Sequence, residues 1–135
     1  LLLRKHKLPL ETACKVLAAP FWQEIERMPE DEQRFYRTLR IVYANALVNG
    51  PFAIVLGFNG GMVGLNDRIK LRPLVAARWH DNLYLASEEA AIREVCAEPD
   101  VVWSPRGGEP VIGRLKGKET KVTSINQPSL LKVAV

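Results

Sequence analysis

The sequence predicts an α+β fold in which helices come first and mostly antiparallel strands follow, with one helix inserted among them. Apolar residues recur at helical spacing in the first third of the chain, and beyond Pro51 they form short apolar runs instead. Tight turns at 59–61 and 80–82 separate these runs, and strands joined by tight turns run antiparallel. The length of 135 residues suits one domain, so we expect residues 1–135 to form a single domain.

Two short helices are predicted before residue 26. The apolar stripe of the first consists of Leu10, Cys14, Leu17 and Phe21. Pro20 should end or kink this helix, and a second short helix carrying Trp22 and Ile25 follows at once.

The third predicted helix is the longest. Its apolar stripe consists of Phe35, Leu39, Val42 and Ala46. Acidic residues at 30–32 fall in its first turn, where the helix dipole favours negative charge. Asn49-Gly50 followed by Pro51 predicts the end of the helix, with a left-handed cap and then a residue that cannot continue it.

Six or more strands are predicted after Pro51. PFAIVLGF is almost wholly apolar, which predicts a strand buried on both faces. The other predicted strands are MVGL, LVAARW, LYLAS, DVVW, VIGRL and KVTSI, with a KGK turn before the last. Ser87 is predicted to cap the inserted helix EEAAIREVCA. The helices of the chain can cover one face of a single antiparallel meander, so the doubly apolar strands imply a further layer supplied from elsewhere.

The stretch LNDRIKLRPL places several charges between two apolar runs. Asp67 beside Arg68, with Arg72 nearby, predicts an internal ion pair that fixes a loop crossing from one strand to the next, and Pro73 pins the entry into LVAARW. On this interpretation, replacing Arg72 by Ala should lower the melting temperature of the assembled protein. The alternative is that Arg68 or Arg72 faces a carboxylate or phosphate, which a guanidinium binds as a fork.

Several of these segments carry a family resemblance. The matching pieces are Gly50-Pro51-Phe52-Ala53, Asp67-Arg68, Leu71-Arg72-Pro73, Leu85-Ala86-Ser87-Glu88 and the closing PRGGEPVIGRL. In order and spacing they resemble the C-terminal portion of the class II glutamine amidotransferase domain, one of the N-terminal-nucleophile (Ntn) hydrolases. The resemblance covers roughly residues 8 to 115. It is greatest to the glutamate synthase branch and its archaeal-type stand-alone amidotransferase subunits.

The resemblance implies part of an αββα sandwich and a role in glutamate biosynthesis and nitrogen metabolism. In that family an N-terminal cysteine attacks the glutamine side-chain amide, its own amino group is the base, and an Asn-Gly pair forms the oxyanion hole. The ammonia passes to a second site on a synthase-type partner or domain, which carries the flavin and iron–sulfur groups. No cofactor is expected in this chain.

The chain departs from the family where the chemistry lies. It has no N-terminal cysteine, Cys14 and Cys96 fall on predicted helices, and Asn59-Gly60 is predicted to be a hairpin turn. We therefore expect no catalytic residue and no activity from this chain alone, and we assign no substrate-binding residue. The family-motif residues are interpreted as structural: Asp67, Arg68, Leu71, Arg72, Pro73, Ser87 and Glu88.

Two partner interpretations remain open. Either the missing N-terminal half of the domain, or self-association, completes a glutaminase, or the chain is a non-catalytic interaction subunit that binds a synthase partner. Sibling enzymes that make asparagine or phosphoribosylamine rank lower, because their loops usually have Gly where this chain has Lys70.

Composition disfavours other classes. Only two histidines are present, too few for a metal site of the usual kind. The net charge of +4 comes from scattered basic residues without interleaved aromatics, so nucleic acid is an unlikely partner. No apolar run approaches the roughly 20 residues of a membrane span. The opening leucines precede the basic cluster, the reverse of a secretory signal, so we expect a cytoplasmic protein with free thiols.

Overall fold

The structure is a computed structural model, and it describes residues 1–116. The helices are α1 Leu10–Leu17, α2 Trp22–Ile25, α3 Glu30–Val42 and α4 Glu89–Val95, with a 3₁₀ turn at Ala44–Ala46. The strands are β1 Ala53–Phe58, β2 Gly61–Asn66, β3 Val75–Trp79, β4 Asn82–Ala86, β5 Val101–Trp103 and β6 Val111–Arg114. Most of the predicted KGK turn, the predicted KVTSI strand and the rest of the 116–135 tail lie outside the described residues.

The strands form two antiparallel sheets, not the single meander expected from the sequence. β1, β2 and β6 make the first sheet in the order β1-β2-β6, and the second has the order β4-β3-β5. Both predicted hairpins are confirmed, because Phe58 pairs with Gly61 and Trp79 pairs with Asn82. The charged loop between β2 and β3 carries the chain from the first sheet to the second, which is why the meander divides there.

Alternate residues of β2 show how the layers are arranged. Val63 and Leu65 are buried with Cys14 and Ala18, so α1 and its C-terminal end cover one face of the first sheet. Gly64 points to the other face, where an added Cβ would lie 2.8 Å from Leu85 Cδ1 of β4. The two sheets therefore approach each other closely at Gly64, where any larger residue would require the Leu85 side chain to move.

The inserted helix α4 covers the outer face of the second sheet. It contacts β4 and β3, and its Ile92 side chain is buried. Tyr84 adjoins Leu85 in β4 and so points to the opposite face, where burial, with a smaller contribution from Cys96 at the end of α4, raises its pKa. The contacts run from α1 through the first and second sheets to α4, while α3 packs on α1 and α2.

The third helix ends seven residues before the predicted stop. The helix terminates at Val42, and only Leu39 of the predicted stripe is buried, whereas Val42 is exposed. The chain turns through the 3₁₀ segment, and the Val48 N–H donates to the Leu17 carbonyl at 3.0 Å. This contact with α1 draws the chain back early. Gly50 has the expected left-handed φ of +96°, but it lies in a loop.

The N-terminus of α4 also differs from the prediction. The helix begins at Glu89 with extended Glu88 at its cap position, so Ser87 does not cap it. Glu89 itself lies in the first turn, where the positive end of the helix dipole stabilises its negative charge.

The prediction that β1 is buried on both faces is wrong for the described chain. All its residues from Ala53 to Gly57 are exposed, whereas the last four residues of β2 are buried. The reason is positional, because β1 is the edge strand of its sheet and α1 packs over β2.

Candidate functional site

The β2–β3 loop is organised around the buried carboxylate of Asp67, whose residue is 2% exposed. Its Oδ1 atom accepts hydrogen bonds from the N–H groups of Leu71 at 2.9 Å and Ile69 at 3.3 Å. Its Oδ2 atom accepts the Arg72 N–H at 2.9 Å. The Asp67 N–H donates to the Phe52 carbonyl, also at 2.9 Å, so the loop is joined to the segment before β1. One side chain thus fixes the whole crossover.

The hydrogen bonds determine the charge state of Asp67. Burial acts to raise its pKa, but the backbone N–H groups of Leu71 and Arg72, with smaller contributions from Phe52 and Ile69, outweigh burial and hold the pKa below its ordinary value. Asp67 is therefore ionised at neutral pH, and its charge is stabilised by main-chain dipoles.

Arg68 connects the loop to the helical layer. Its guanidinium donates to the Ala19 carbonyl at 3.2 Å and to Asn49 Oδ1 at 2.7 Å. It also lies over the Phe21 ring, 4.1 Å from the centroid. These contacts use the guanidinium within the protein, so the alternative in which Arg68 faces a ligand is not supported by the geometry.

A glycine pair packs against the other side of the same loop. A Cβ added at Gly107 would lie 2.5 Å from the Arg68 carbonyl oxygen, and one at Gly108 would lie 3.0 Å from the Ala18 carbonyl oxygen. Gly108 also has a φ of +72°, which favours glycine. The loop before β6 therefore seals the Asp67–Arg68 backbone against the end of α1.

The predicted ion pair between Asp67 and Arg68 or Arg72 is wrong. Both oxygens of Asp67 accept hydrogen bonds from main-chain N–H groups. These bonds also give partners to backbone groups that the crossover would otherwise leave unpaired. Arg72 contributes its N–H to Asp67 and its carbonyl to Asn66 Nδ2 at 3.3 Å, while its side chain is exposed.

The backbone conformation of Lys70 shows how the loop turns. Its φ of +56° lies in the left-handed region, which glycine adopts without a steric cost. At this position lysine therefore has a steric cost that glycine would not have. The choice between lysine and glycine at position 70 therefore depends on the backbone conformation of this turn and not on the molecule that accepts ammonia. It is consequently a weak basis for ranking the sibling enzymes.

Three of the family-motif segments meet at one cleft of about 490 Å³. Its lining consists of Pro51, Phe52, Ala53, Arg72, Pro73, Ser87 and Glu88. These residues are separated by up to 37 positions in sequence, yet the crossover and the end of β4 bring them together. Of the structural residues assigned from the sequence, Arg72, Pro73, Ser87 and Glu88 line the cleft, whereas Asp67, Arg68 and Leu71 hold the loop beside it.

A smaller cavity of about 140 Å³ adjoins this cleft. Ala53, Pro73 and Ser87 border both, and the smaller cavity continues inward between β1 and the end of β4 along Ile54, Val55, Leu74 and Ala86. The gap therefore opens between the free edges of the two sheets.

Neither cysteine has the environment of a nucleophile. Burial, with a smaller contribution from Glu11, raises the pKa of Cys14 to about 11, so its thiol is protonated at neutral pH. Cys96 is a free thiol and is also buried. Asn59-Gly60 forms the β1–β2 turn, at the opposite end of β1 from the cleft, roughly 16 Å away at strand spacing.

The described residues contain no group of three or more His, Cys, Asp or Glu side chains that could hold a metal ion. Within the same residues, no helix has both the length and the apolar character needed to cross a membrane.

Two features of the site were not predicted from the sequence. The first is Asn66, which is fully buried and whose Oδ1 atom has no hydrogen-bond partner among the described residues. The sequence signal for this buried polar residue was its position beside Asp67 at the end of an apolar strand. The adjacent glycines at 107 and 108 indicate close backbone approach, but their partner was not identifiable from spacing.

Comparison with known proteins finds a relative that is longer than this chain. A protein of Archaeoglobus fulgidus described as an uncharacterized protein is 48% identical over 122 residues, which cover 90% of this chain and 32% of the relative. The chain thus spans about a third of the length of the curated relative it matches. No family model matches the chain. No solved structure matches it either.

Proposed function

We propose that this chain is the C-terminal portion of a class II glutamine amidotransferase domain of the glutamate synthase type. The observation that carries the proposal is the meeting of three motif segments, at 51–53, 72–73 and 87–88, around one cleft. Segments that resemble one family and are scattered in sequence have a common structural purpose when they line one site.

The succession of layers supports the same proposal. A helix, two facing antiparallel sheets and a second helix follow one another from α1 to α4, and an αββα sandwich has this order. The fold by itself does not specify a reaction, so the motif segments carry the functional part.

In this proposal the chain supplies structure and the reacting groups come from the rest of the domain. Asp67 and Arg68 lock the crossover, and Arg72 and Glu88 present opposite charges at the cleft. The attacking thiol, the oxyanion hole and the groups that bind glutamine belong to the N-terminal half. The ammonia then passes to a synthase-type partner that carries flavin and iron–sulfur groups.

A chimera tests the proposal directly. The aligned third of the A. fulgidus relative is replaced by this chain, and both the relative and the chimera are assayed for release of glutamate and ammonia from glutamine. We expect both proteins to hydrolyse glutamine and the 135-residue chain alone to be inactive. A chimera with Gly107→Ala should lose activity together with stability, whereas Ile41→Ala, at an exposed position of α3, is the control and should keep both.

Three results would contradict the proposal. If neither the relative nor a correctly folded chimera hydrolyses glutamine, the chain is not part of a glutaminase. If both are inactive but bind a synthase-type protein tightly, the second interpretation, a non-catalytic interaction subunit, replaces it. Steeply salt-dependent binding of DNA or RNA would instead favour a nucleic-acid module.

A further inference from the structure

The strand β1 has the composition of an interior strand but the position of an edge strand. One edge pairs with β2, and no described strand pairs with the other. Its sequence, AIVLGF, contains no charge and no proline, which are the usual protections of a free edge. Exposed aliphatic side chains lie on both of its faces, with Ile54 37%, Val55 57% and Leu56 44% exposed.

The other outer strands differ from β1. β5 has only three residues, and β4 is half-buried over most of its length. β6 ends in Arg114, whose guanidinium pairs with Glu11 at 3.0 Å. Among the outer strands of the described residues, β1 is thus the one that is both long and wholly apolar along a free edge.

We infer that β1 is a docking strand. An extended apolar segment pairs with its free edge, and this segment comes from a region that corresponds to the part of the A. fulgidus relative outside the match with this chain. A protein segment that pairs with the main-chain N–H and C=O groups on the free edge of β1 must have its own groups in line with them, which a strand supplies and a helix does not. Pairing there would place β1 inside a wider sheet and remove its exposed face from water.

The proportions of the relative favour this occupant. The chain accounts for 32% of the A. fulgidus protein, so about two thirds of that protein is available to provide the segment. The cavity between the sheets gives a second reason, because Val55 lines it together with Leu74 and Ala86. A segment that pairs with β1 and enters between β1 and β4 would fill this gap.

The inference shares with the proposed function the premise that the domain is completed from outside this chain, but it does not require glutaminase activity. The chimera described above and the 135-residue chain are compared by hydrogen exchange at residues 53–58. We expect these amides to exchange at least tenfold more slowly in the chimera. Equal exchange rates would overturn the inference.

A paired substitution adds a second readout. Val55→Lys should lower the melting temperature of the chimera and leave the isolated chain nearly unchanged, because Val55 becomes buried only on docking. Ile41→Lys on the outer side of α3 is the control, since Ile41 is 73% exposed, and it should affect neither protein. If Val55→Lys has no effect on the chimera, β1 is not the docking strand.

Other occupants give distinct results, and each would overturn the inference. Protection of 53–58 that rises with the concentration of the isolated chain indicates a second copy. Protection that disappears on removal of residues 117–135 indicates the chain's own C-terminal segment. Glutamine hydrolysis is measured on the same chimera, so protection without activity rejects the proposed function alone, and activity without protection rejects the docking strand alone.

Discussion

The carboxylate of Asp67 accepts a hydrogen bond of 2.9 Å from the backbone N–H of Arg72, so the two residues are joined through the main chain and not as an ion pair. The same carboxylate binds the N–H of Leu71 at 2.9 Å. The crossover between the sheets therefore depends on the Asp67 side chain and on the path of the backbone, and not on an ion pair between Asp67 and the neighbouring basic side chains.

Replacing Asp67 by Asn should destabilise the chain by about 2–3 kcal/mol. The amide has one acceptor oxygen where the carboxylate has two, so at least one of the bound N–H groups becomes unpaired in a buried site. The measurement is urea unfolding at neutral pH. Asp31→Asn on the exposed first turn of α3 is the matched control, and equal losses in the two variants would contradict the role assigned to Asp67.

The same variant should have an altered pH dependence. The folded pKa of Asp67 lies below its unfolded value near 3.8, so its stabilisation is complete above that value and is lost as the pH falls through the folded pKa. The parent chain should therefore lose stability across this acid range more steeply than Asp67→Asn. Parallel stability curves for the two proteins below pH 4 would show that the shift is not present.

Arg68 and Arg72 should respond differently to alanine substitution. Arg68→Ala removes two hydrogen bonds and the contact with the Phe21 ring, and we expect a loss of about 1–3 kcal/mol. Arg72→Ala removes an exposed side chain and keeps the backbone groups that the loop uses, so it should change stability by no more than about 0.5 kcal/mol. This reverses the expectation for Arg72 drawn from the sequence. Thermal unfolding of both variants decides between them.

Lys70→Gly should stabilise the chain by about 0.5–1 kcal/mol. The left-handed φ of +56° costs lysine about 1 kcal/mol, and the greater freedom of glycine in the unfolded chain offsets part of the gain. The melting temperature measures the net effect. Lys70→Ala keeps the strain and should not stabilise, so a gain of equal size from alanine would point to a cause other than the backbone.

Gly107→Ala should destabilise by about 1–3 kcal/mol or more, because its Cβ would lie 2.5 Å from the main-chain oxygen of Arg68 and the backbone would have to move. Gly57 of β1 has no atom within 4 Å of an added Cβ and has a negative φ, so Gly57→Ala is the matched control. Chemical unfolding of the two variants should separate them clearly, and similar stabilities would contradict the close packing of the glycine pair on the loop.

The site was predictable in part. The stretch LNDRIKLRPL was predicted to be a loop crossing between strands because its charges interrupt an apolar region, and the structure places it at the crossover between the sheets. The pairing of Asp67 with main-chain N–H groups was not predictable, because a charge on one residue does not reveal which neighbour the fold brings within bonding distance. Asn49 became the partner of Arg68 across 19 positions, and its sequence context had indicated a helix cap instead.

The sequence by itself determined the local elements. Helical spacing and Pro20 defined α1 and α2, the acidic turn located the start of α3, and Asn59-Gly60 and His80-Asp81 closed the two hairpins. These features depend on hydrogen bonds and steric limits within a few residues. Tertiary structure decided the separation into two sheets, the early end of α3, the exposure of β1 and the partners of Asp67. Each of these results from packing between segments distant in sequence, whose mutual positions no local pattern specifies.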